Sequence, residues 1–311
     1  MFSYNKVCEI EDFLHPQLLP VLREVYAHEL DRVGPNWPKG KEYRKEWEVA
    51  MCVRAFHDFD VLRSDAEILG IGAGNEPTIF YLTNHVRRVF ATDLYLPDPA
   101  VQTKKFKGIR PLLRQLFATA TGKRKLWAES ANMGMFLNPG RYWPGAWNPR
   151  RLVVQHMNGL DLKYEDNSFD GIFSSSSIEH FGGHKEIGRA LQEMYRVLKP
   201  GGILSLATEF RIEGPSPGLP GIVMFDPGEI ESIIIRSAPW EPTGGFMASC
   251  SPSTRSAERS FAELSSVVRR HVSRYGEILY HKLDWQRYPS LGIREGSLVW
   301  TSVHLALRKP S

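Results

Sequence analysis

Cysteine is scarce in this chain. The 311 residues hold three, Cys8, Cys52 and Cys250, far apart from one another. That spacing offers neither a metal-binding pair nor a disulfide framework, and it suits a reducing, cytoplasmic compartment. No stretch of eighteen apolar residues exists, so no membrane-spanning helix is expected. The opening MFSYNKVCEIEDF carries acids where a secretory leader needs an apolar core, so no leader is expected. Excess charge is also lacking: a net +4 selects no partner by itself. Two phosphate-binding motifs are missing as well. With Gly70 as the first position the sixth is Asn75, and with Gly72 as the first it is Pro77, so neither register completes Gly-x-Gly-x-x-Gly, and no Gly-Lys-Ser/Thr run follows.

Apolar residues make up 42% of the chain, enough for one large α/β domain with additions or for two small domains. Residues 17–33 and 39–59 read as helices separated by VGPNWPKG. In the second, Tyr43, Trp47, Ala50, Met51 and Phe59 recur near the helical period. From residue 66 the pattern changes. Short apolar strands EILGIG, RVFATD, RLVVQHM, FDGIFSSS and GILSLATEF are interspersed with the helical segments PTIFYLTNHV and KEIGRALQEMYRVL. That alternation predicts an α/β fold with a parallel sheet and helices on both faces. The C-terminal SLVWTSVHLALRK reads as an edge strand. A helical cap is expected over 1–64 and the sheet domain over 65–311, with insertions at 95–150 and 212–260, the second holding a short helix near 227–237. Long insertions at strand ends are where substrate sites are commonly built.

The segment EILGIGAGNEP, residues 67–77, is a glycine turn between a strand and a helix, with Pro77 at the first helical position. The helix N-terminus behind it favours an anion. The alternative is a tight turn that binds nothing. Asp93 closes the second strand, nineteen residues after Gly74, where an acid is placed to accept hydrogen bonds from ribose hydroxyls.

The ordered set LGIGAG, ATD, NGLDLKYEDNSFD, SSSSIEH and EMYRVLKPGG, within residues 66–210, resembles the class I S-adenosylmethionine-dependent methyltransferases, in particular the small-molecule (methyltransferase type 11-like) group. The resemblance implies a Rossmann-like sheet and S-adenosyl-L-methionine as cofactor. It implies backbone contacts to the cofactor from Gly70, Gly72, Ala73 and Gly74, with Asp93 on the ribose and Leu94 beside the adenine. Asn158 matches the position near the adenine amino group, Gly159 follows in the same loop, and Ser174 and Ser175 end the fourth strand beneath the cofactor. Two positions depart from the family pattern: Gly70 stands where an acid is usual, and Glu76 where a glycine is usual. Glu76 either meets the cofactor ammonium or serves as an early-turn acid of the helix. Asn158 keeps an acceptor but loses the charge of the usual acid.

Methyl transfer from a sulfonium is an in-line displacement, which requires an aligned acceptor and, for a hydroxyl, a base. His180, just after the fourth strand, is the candidate base, with a packing or capping role as its alternative. Glu179 beside it is a candidate orienter, although adjacent helical residues point apart. Glu209 either faces substrate or pairs with Arg211. The Asn/Asp-Pro-Pro-aromatic run of base-amine methylation and a Pro-Cys nucleophile are both absent, and no metal site is expected.

Eight basic residues and no acid lie between Lys104 and Lys125, followed by Tyr142, Trp143 and Trp147. Such a mixture suits RNA or an anionic sugar. Because it is confined to one insertion, a small-molecule or saccharide acceptor methylated on oxygen ranks ahead of nucleic acid. An RNA methyltransferase and a non-catalytic cofactor-binding partner remain the alternatives. Residues 95–150 with the N-terminal helices are expected to form a lid, with Tyr43, Trp47, Tyr142, Trp143 and Trp147 as its candidate aromatics.

Overall fold

The computed structural model describes residues 2–96, 133–263 and 289–311. The basic run 104–125 therefore lies outside the described residues. An N-terminal layer holds β1 (Lys6–Val7), α1 (Leu19–Val25), α2 (Leu30–Val33) and α3 (Arg44–Asp58). The sheet follows with β2 (Glu67–Ile71), α4 (Pro77–Leu82), β3 (Arg88–Asp93), α5 (Met133–Leu137), β4 (Leu152–His156), β5 (Phe169–Ser175), α6 (His184–Val197) and β6 (Leu198–Glu213). Short strands β7 (Gly218–Leu219), β8 (Ile222–Val223), β9 (Glu241–Pro242) and β10 (Glu258–Ser260) precede β11 (Gly292–Glu295) and β12 (Leu298–Arg308).

Among the described residues the main path of the sheet runs β10-β11-β12-β6-β5-β2-β3-β4. The five strands from β4 to β6 are parallel, and β12 is antiparallel to β6. The order reverses between β2 and β5, so the C-terminal ends of those strands flank the crevice in which open α/β sheets hold ligands. Both faces are covered. Helix α3 lies against β5, β6 and β12, while α6 and the helical segment 227–237 close the other side. Helix α6 can do this because Ile187, Ala190, Leu191, Met194 and Val197 form one buried stripe. The expected strands from β2 to β6 are thus present.

Several expectations need correction. The C-terminal strand is not at an edge. It pairs with β6 from Val299 to Arg308, and β1, β9 and β11 each cover part of its other side. Residues Leu298 to Leu307 are all buried. Thr301, Ser302 and His304 gave the strand its partly alternating look, yet each is a buried polar group with a partner. Thr301 Oγ1 donates to the Leu291 carbonyl at 2.6 Å, and Ser302 donates to Glu48. The helix expected over 17–33 is divided into α1, a 3-10 turn at Ala27–Glu29 and α2, and the second helix begins at Arg44 rather than near 39.

Of the aromatics expected in a lid, Tyr43, Trp47 and Trp143 are buried, and residues 97–132 of the expected lid lie outside the described residues. Trp47 is fully buried, and its Nε1 donates to Asp12 at 2.9 Å. Trp143 stacks on Phe80 of α4 with ring centroids 5.8 Å apart, and Trp147 meets the same ring edge-on. Residues 133–150 are thereby fastened to α4 and to His28 of the cap, whose ring centroid is 4.2 Å from that of Trp143.

His304 sits at the centre of the sheet with Nδ1 2.7 Å from the Tyr4 carbonyl and Nε2 2.8 Å from Ser205 Oγ. These partners fit a neutral ring that donates from Nδ1 and accepts at Nε2. Burial holds the imidazole down to about 4. The unfolded chain binds a proton that the folded chain refuses. Stability from His304 is therefore complete above about pH 6.5 and is lost as pH falls towards 4, a loss of order 3 kcal/mol. Denaturant unfolding at pH 7.5 and 5.0 should show a steeper decline for the native protein than for His304→Asn; equal declines would refute this.

Candidate functional site

Strand β2 leads into a turn whose backbone needs glycine. Gly72 and Gly74 have φ of 61° and 51°, a left-handed region that other residues enter at a cost. Three hydrogen bonds fix the turn to β3 and the residues after it. Ala73 N donates to the Thr92 carbonyl at 3.0 Å, Gly74 N to Asp93 Oδ2 at 2.9 Å, and the Tyr95 hydroxyl to the Gly74 carbonyl at 2.8 Å. Asp93 Oδ1 also accepts from Leu94 N at 2.6 Å. A carboxylate has about four acceptor sites, so each oxygen of Asp93 retains capacity beyond its single backbone donor. Burial raises the Asp93 carboxyl, opposed by those two N–H groups and by His156. Leu94 beside it is 44% exposed.

Phe181 joins this turn to the loop after β4. A Cβ on Gly72 would stand 3.3 Å from the Phe181 ring and on top of Ser177 Oγ; one on Gly159 would stand 2.9 Å from the same ring. Asn158, just before, accepts from Leu160 N at 3.0 Å through Oδ1. The predicted residues Gly72, Ala73, Gly74, Asp93, Leu94, Asn158 and Gly159 therefore gather at one edge of the sheet. Gly70 sits apart, inside β2, where its missing side chain makes room for Phe173: a Cβ would be 2.4 Å from that ring. Ser174 is buried, its Oγ without a hydrogen-bond partner, and Ser175 is half-buried at the end of β5. Glu76 occupies the N-cap position of α4 but makes no side-chain capping hydrogen bond.

Beyond β5 the chain places a buried cluster of charges. Arg44 Nη1 donates to Glu209 Oε2 at 2.7 Å and to Ser302 Oγ at 2.8 Å. Lys45 Nζ reaches Glu209 Oε1 at 3.0 Å and Glu48 Oε1 at 2.9 Å, and also bonds Ser176. Ser176 Oγ in turn donates to Glu48 Oε2 at 2.7 Å. Arg44, Glu48 and Glu209 are 4%, 2% and 6% exposed. Burial opposes the charge on Glu209, but the cations of Arg44 and Lys45 outweigh it and hold the carboxyl below the usual range. Glu179, 1% exposed, accepts from Thr208 Oγ1 at 2.9 Å through Oε2. Burial, with Glu209 nearby, pushes its carboxyl up to about 8.

Glu209 is thus paired with Arg44 and Lys45 rather than with Arg211. Arg211 instead bonds Asp226 at 2.6 Å and Glu229 at 3.1 Å. His180 is exposed, with Nδ1 3.1 Å from the Gly221 carbonyl. Donation from Nδ1 leaves Nε2 as the ring's basic lone pair. A cleft of about 630 Å³ opens alongside, lined by Gly182, Gly183, His184 and residues 216–223. Among the described residues, no group of three or more His, Cys, Asp or Glu side chains gathers as a metal site. The α3 residues of the cluster were missed as site residues. Their one local signal is spacing: Arg44 and Lys45 stand four and three residues before Glu48.

Residues 143–206 match the family model of a methyltransferase domain. Demethylmenaquinone methyltransferase of Listeria welshimeri is 36% identical over 66 residues, which are 21% of this chain and 25% of that protein. The enzyme of the same name from Symbiobacterium thermophilum is 41% identical over 51 residues, 16% and 19% of the two chains. The chain thus spans about a quarter or less of the length of these curated relatives. Among solved structures, a putative sarcosine dimethylglycine methyltransferase from Galdieria sulphuraria aligns over 94% of this chain and 97% of its own, at 18% identity and a TM-score of 0.48. Phosphoethanolamine N-methyltransferase 2 of Haemonchus contortus, solved with S-adenosyl-L-methionine, aligns over 100% of this chain and 61% of its own, at 14% identity and a TM-score of 0.45.

Replacing Arg44 by Met should leave two buried carboxylates, Glu209 and Glu48, sharing the single cation of Lys45, at a cost of about 3–5 kcal/mol. Adding Glu209→Leu should recover much of that loss. Urea unfolding of the single and double variants checks this. A single variant within about 1 kcal/mol of the native protein would show that the cluster is not a compensated buried network.

Proposed function

We propose that the protein uses S-adenosyl-L-methionine to methylate an oxygen of a small molecule or saccharide, and that it does so in the cytoplasm. The observation that carries this reading is the Asp93 carboxylate. It is fixed by Gly74 N and Leu94 N at the strand end, with acceptor capacity left for a ribose diol. The surrounding residues fit the same group. Gly72, Ala73 and Gly74 offer a backbone surface without bulky side chains for the methionine portion, with Gly70 behind them. Leu94, Asn158 and Gly159 border the adenine side, and Ser174 and Ser175 floor the site. Glu76 stands at the turn to meet an ammonium. When bound, the cofactor supplies a methyl group on a sulfonium with a good leaving group.

The chain's own task is then to orient the acceptor and move its proton. His180 is suited to the second part, since the Gly221 carbonyl fixes its tautomer and leaves Nε2 for the acceptor hydroxyl. The adjoining cleft of about 630 Å³ has the capacity of a small-molecule site. Scattered cysteines, of which Cys8 and Cys52 are buried, suit a reducing compartment.

Asp93→Ala should weaken cofactor binding at least about tenfold, or about 1.4 kcal/mol, in calorimetry. Unchanged affinity would remove the basis of the assignment. His180→Gln should lower kcat about 100-fold while leaving cofactor affinity intact; an unchanged kcat would return His180 to a packing role. Labelled cofactor incubated with a metabolite extract and with total RNA identifies the acceptor class. Label in the small-molecule fraction is expected. Label in RNA would overturn the small-molecule reading, and cofactor binding without transfer would overturn catalysis.

A further inference from the structure

The buried cluster beyond β5 has one carboxylate too many. Arg44 and Lys45 compensate Glu48 and Glu209, and the Lys45 ammonium is already engaged with Glu48, Glu209 and Ser176. Glu179 is the third carboxylate. Its Oε2 has Thr208, but its Oε1 is buried without a hydrogen-bond partner. The charged groups facing it are Glu209 of β6 and Lys45 of α3, and Lys45 in turn faces Arg44 and Glu48. The first turn of α6 carries only the exposed His184, Lys185 and Glu186, and Arg211 is held by Asp226 and Glu229. A lone anion in so dry a place is costly, so the cluster is short of one positive charge.

Glu179 lies two residues from Ser177 and two from Phe181, the side chains that fill the space over Gly72. Its Cα is thus within about 7 Å of each of theirs, in the segment that packs against the turn proposed for the cofactor. We infer that Glu179 is the counter-charge of the sulfonium centre: it holds a proton in the free protein and releases it when that cation enters. This rests on the methyltransferase reading. The rise of the Glu179 carboxyl to about 8 agrees with a protonated free state at neutral pH.

The proton balance closes over a turnover. Glu179 loses one proton to solvent on binding. In the transfer, the acceptor oxygen forms a bond to the methyl carbon, the carbon–sulfur bond breaks, and its electron pair stays on sulfur, now neutral. The acceptor proton leaves through His180, and Glu179, again uncompensated, regains one from solvent. The single proton that the net reaction releases is therefore released at binding.

Calorimetry of the full chain at pH 7 in two buffers of different ionisation enthalpy tests this, with S-adenosylmethionine and S-adenosylhomocysteine as probes. The native protein should release about half a proton or more with the sulfonium and much less with the thioether. Glu179→Gln, which imitates the protonated side chain, should abolish that difference and reduce the preference for sulfonium over thioether about tenfold. Equal proton release for both probes, or release that persists in Glu179→Gln, would overturn the inference while leaving the methyltransferase reading intact. Failure of the native protein to bind either probe would overturn both.

Discussion

Arg44 carries a guanidinium into the space between α3 and the sheet, and the end of β6 is built to tolerate it. A buried cation is acceptable only with partners of good geometry. Glu209, Glu48 and Ser302 supply them from β6, α3 and β12. Meeting that requirement fixes three things together: the rotation of α3, the register of β12 against β6, and the path of the chain after β5, because Ser176 joins the same network. Helix α3 is therefore part of the sheet's own core.

That arrangement leaves the segment 177–181 as the link between two halves of the site. Ser177 and Phe181 touch the glycine turn, Glu179 reaches the charge cluster through Thr208, and His180 reaches the hairpin of β7 and β8. Asp93 holds the other side of the turn. A ligand lying along the glycine turn is thus bounded by groups anchored on β3, β5 and β6. Elements rather than loose loops set their positions, the condition for accurate orientation of a reacting group.

Much of this was legible in the sequence. The strands β2 to β6 contain short apolar runs bounded by turn residues, and the inner ones, such as β2 and β5, announce themselves because both faces are largely buried. The turn at Gly72 and Gly74 and the acid at Asp93 could be read because their chemistry is local. β12 was misread because Thr301, Ser302 and His304 imitate a solvent-facing alternation, and only their partners on other segments reveal them as core. The charge cluster was hidden for the same reason. Its members come from 44–48, 176–179, 208–209 and 302, and each looks like an ordinary surface charge until the fold buries it. Gly70 shows the converse: in the motif it reads as a cofactor glycine, whereas in the fold its lack of a side chain accommodates Phe173.

The proposed cofactor site is one edge of the sheet, from Asp93 across Gly72 to segment 177–181. A crystal structure of the protein with S-adenosylhomocysteine tests it most directly. Both ribose hydroxyls are expected within hydrogen-bond distance, about 3 Å, of the Asp93 carboxylate, with the thioether sulfur beside the glycine turn and the 177–181 segment that packs on it. Ligand density in the cleft by His184 alone, with Asp93 bonded only to Gly74 and Leu94, would contradict it.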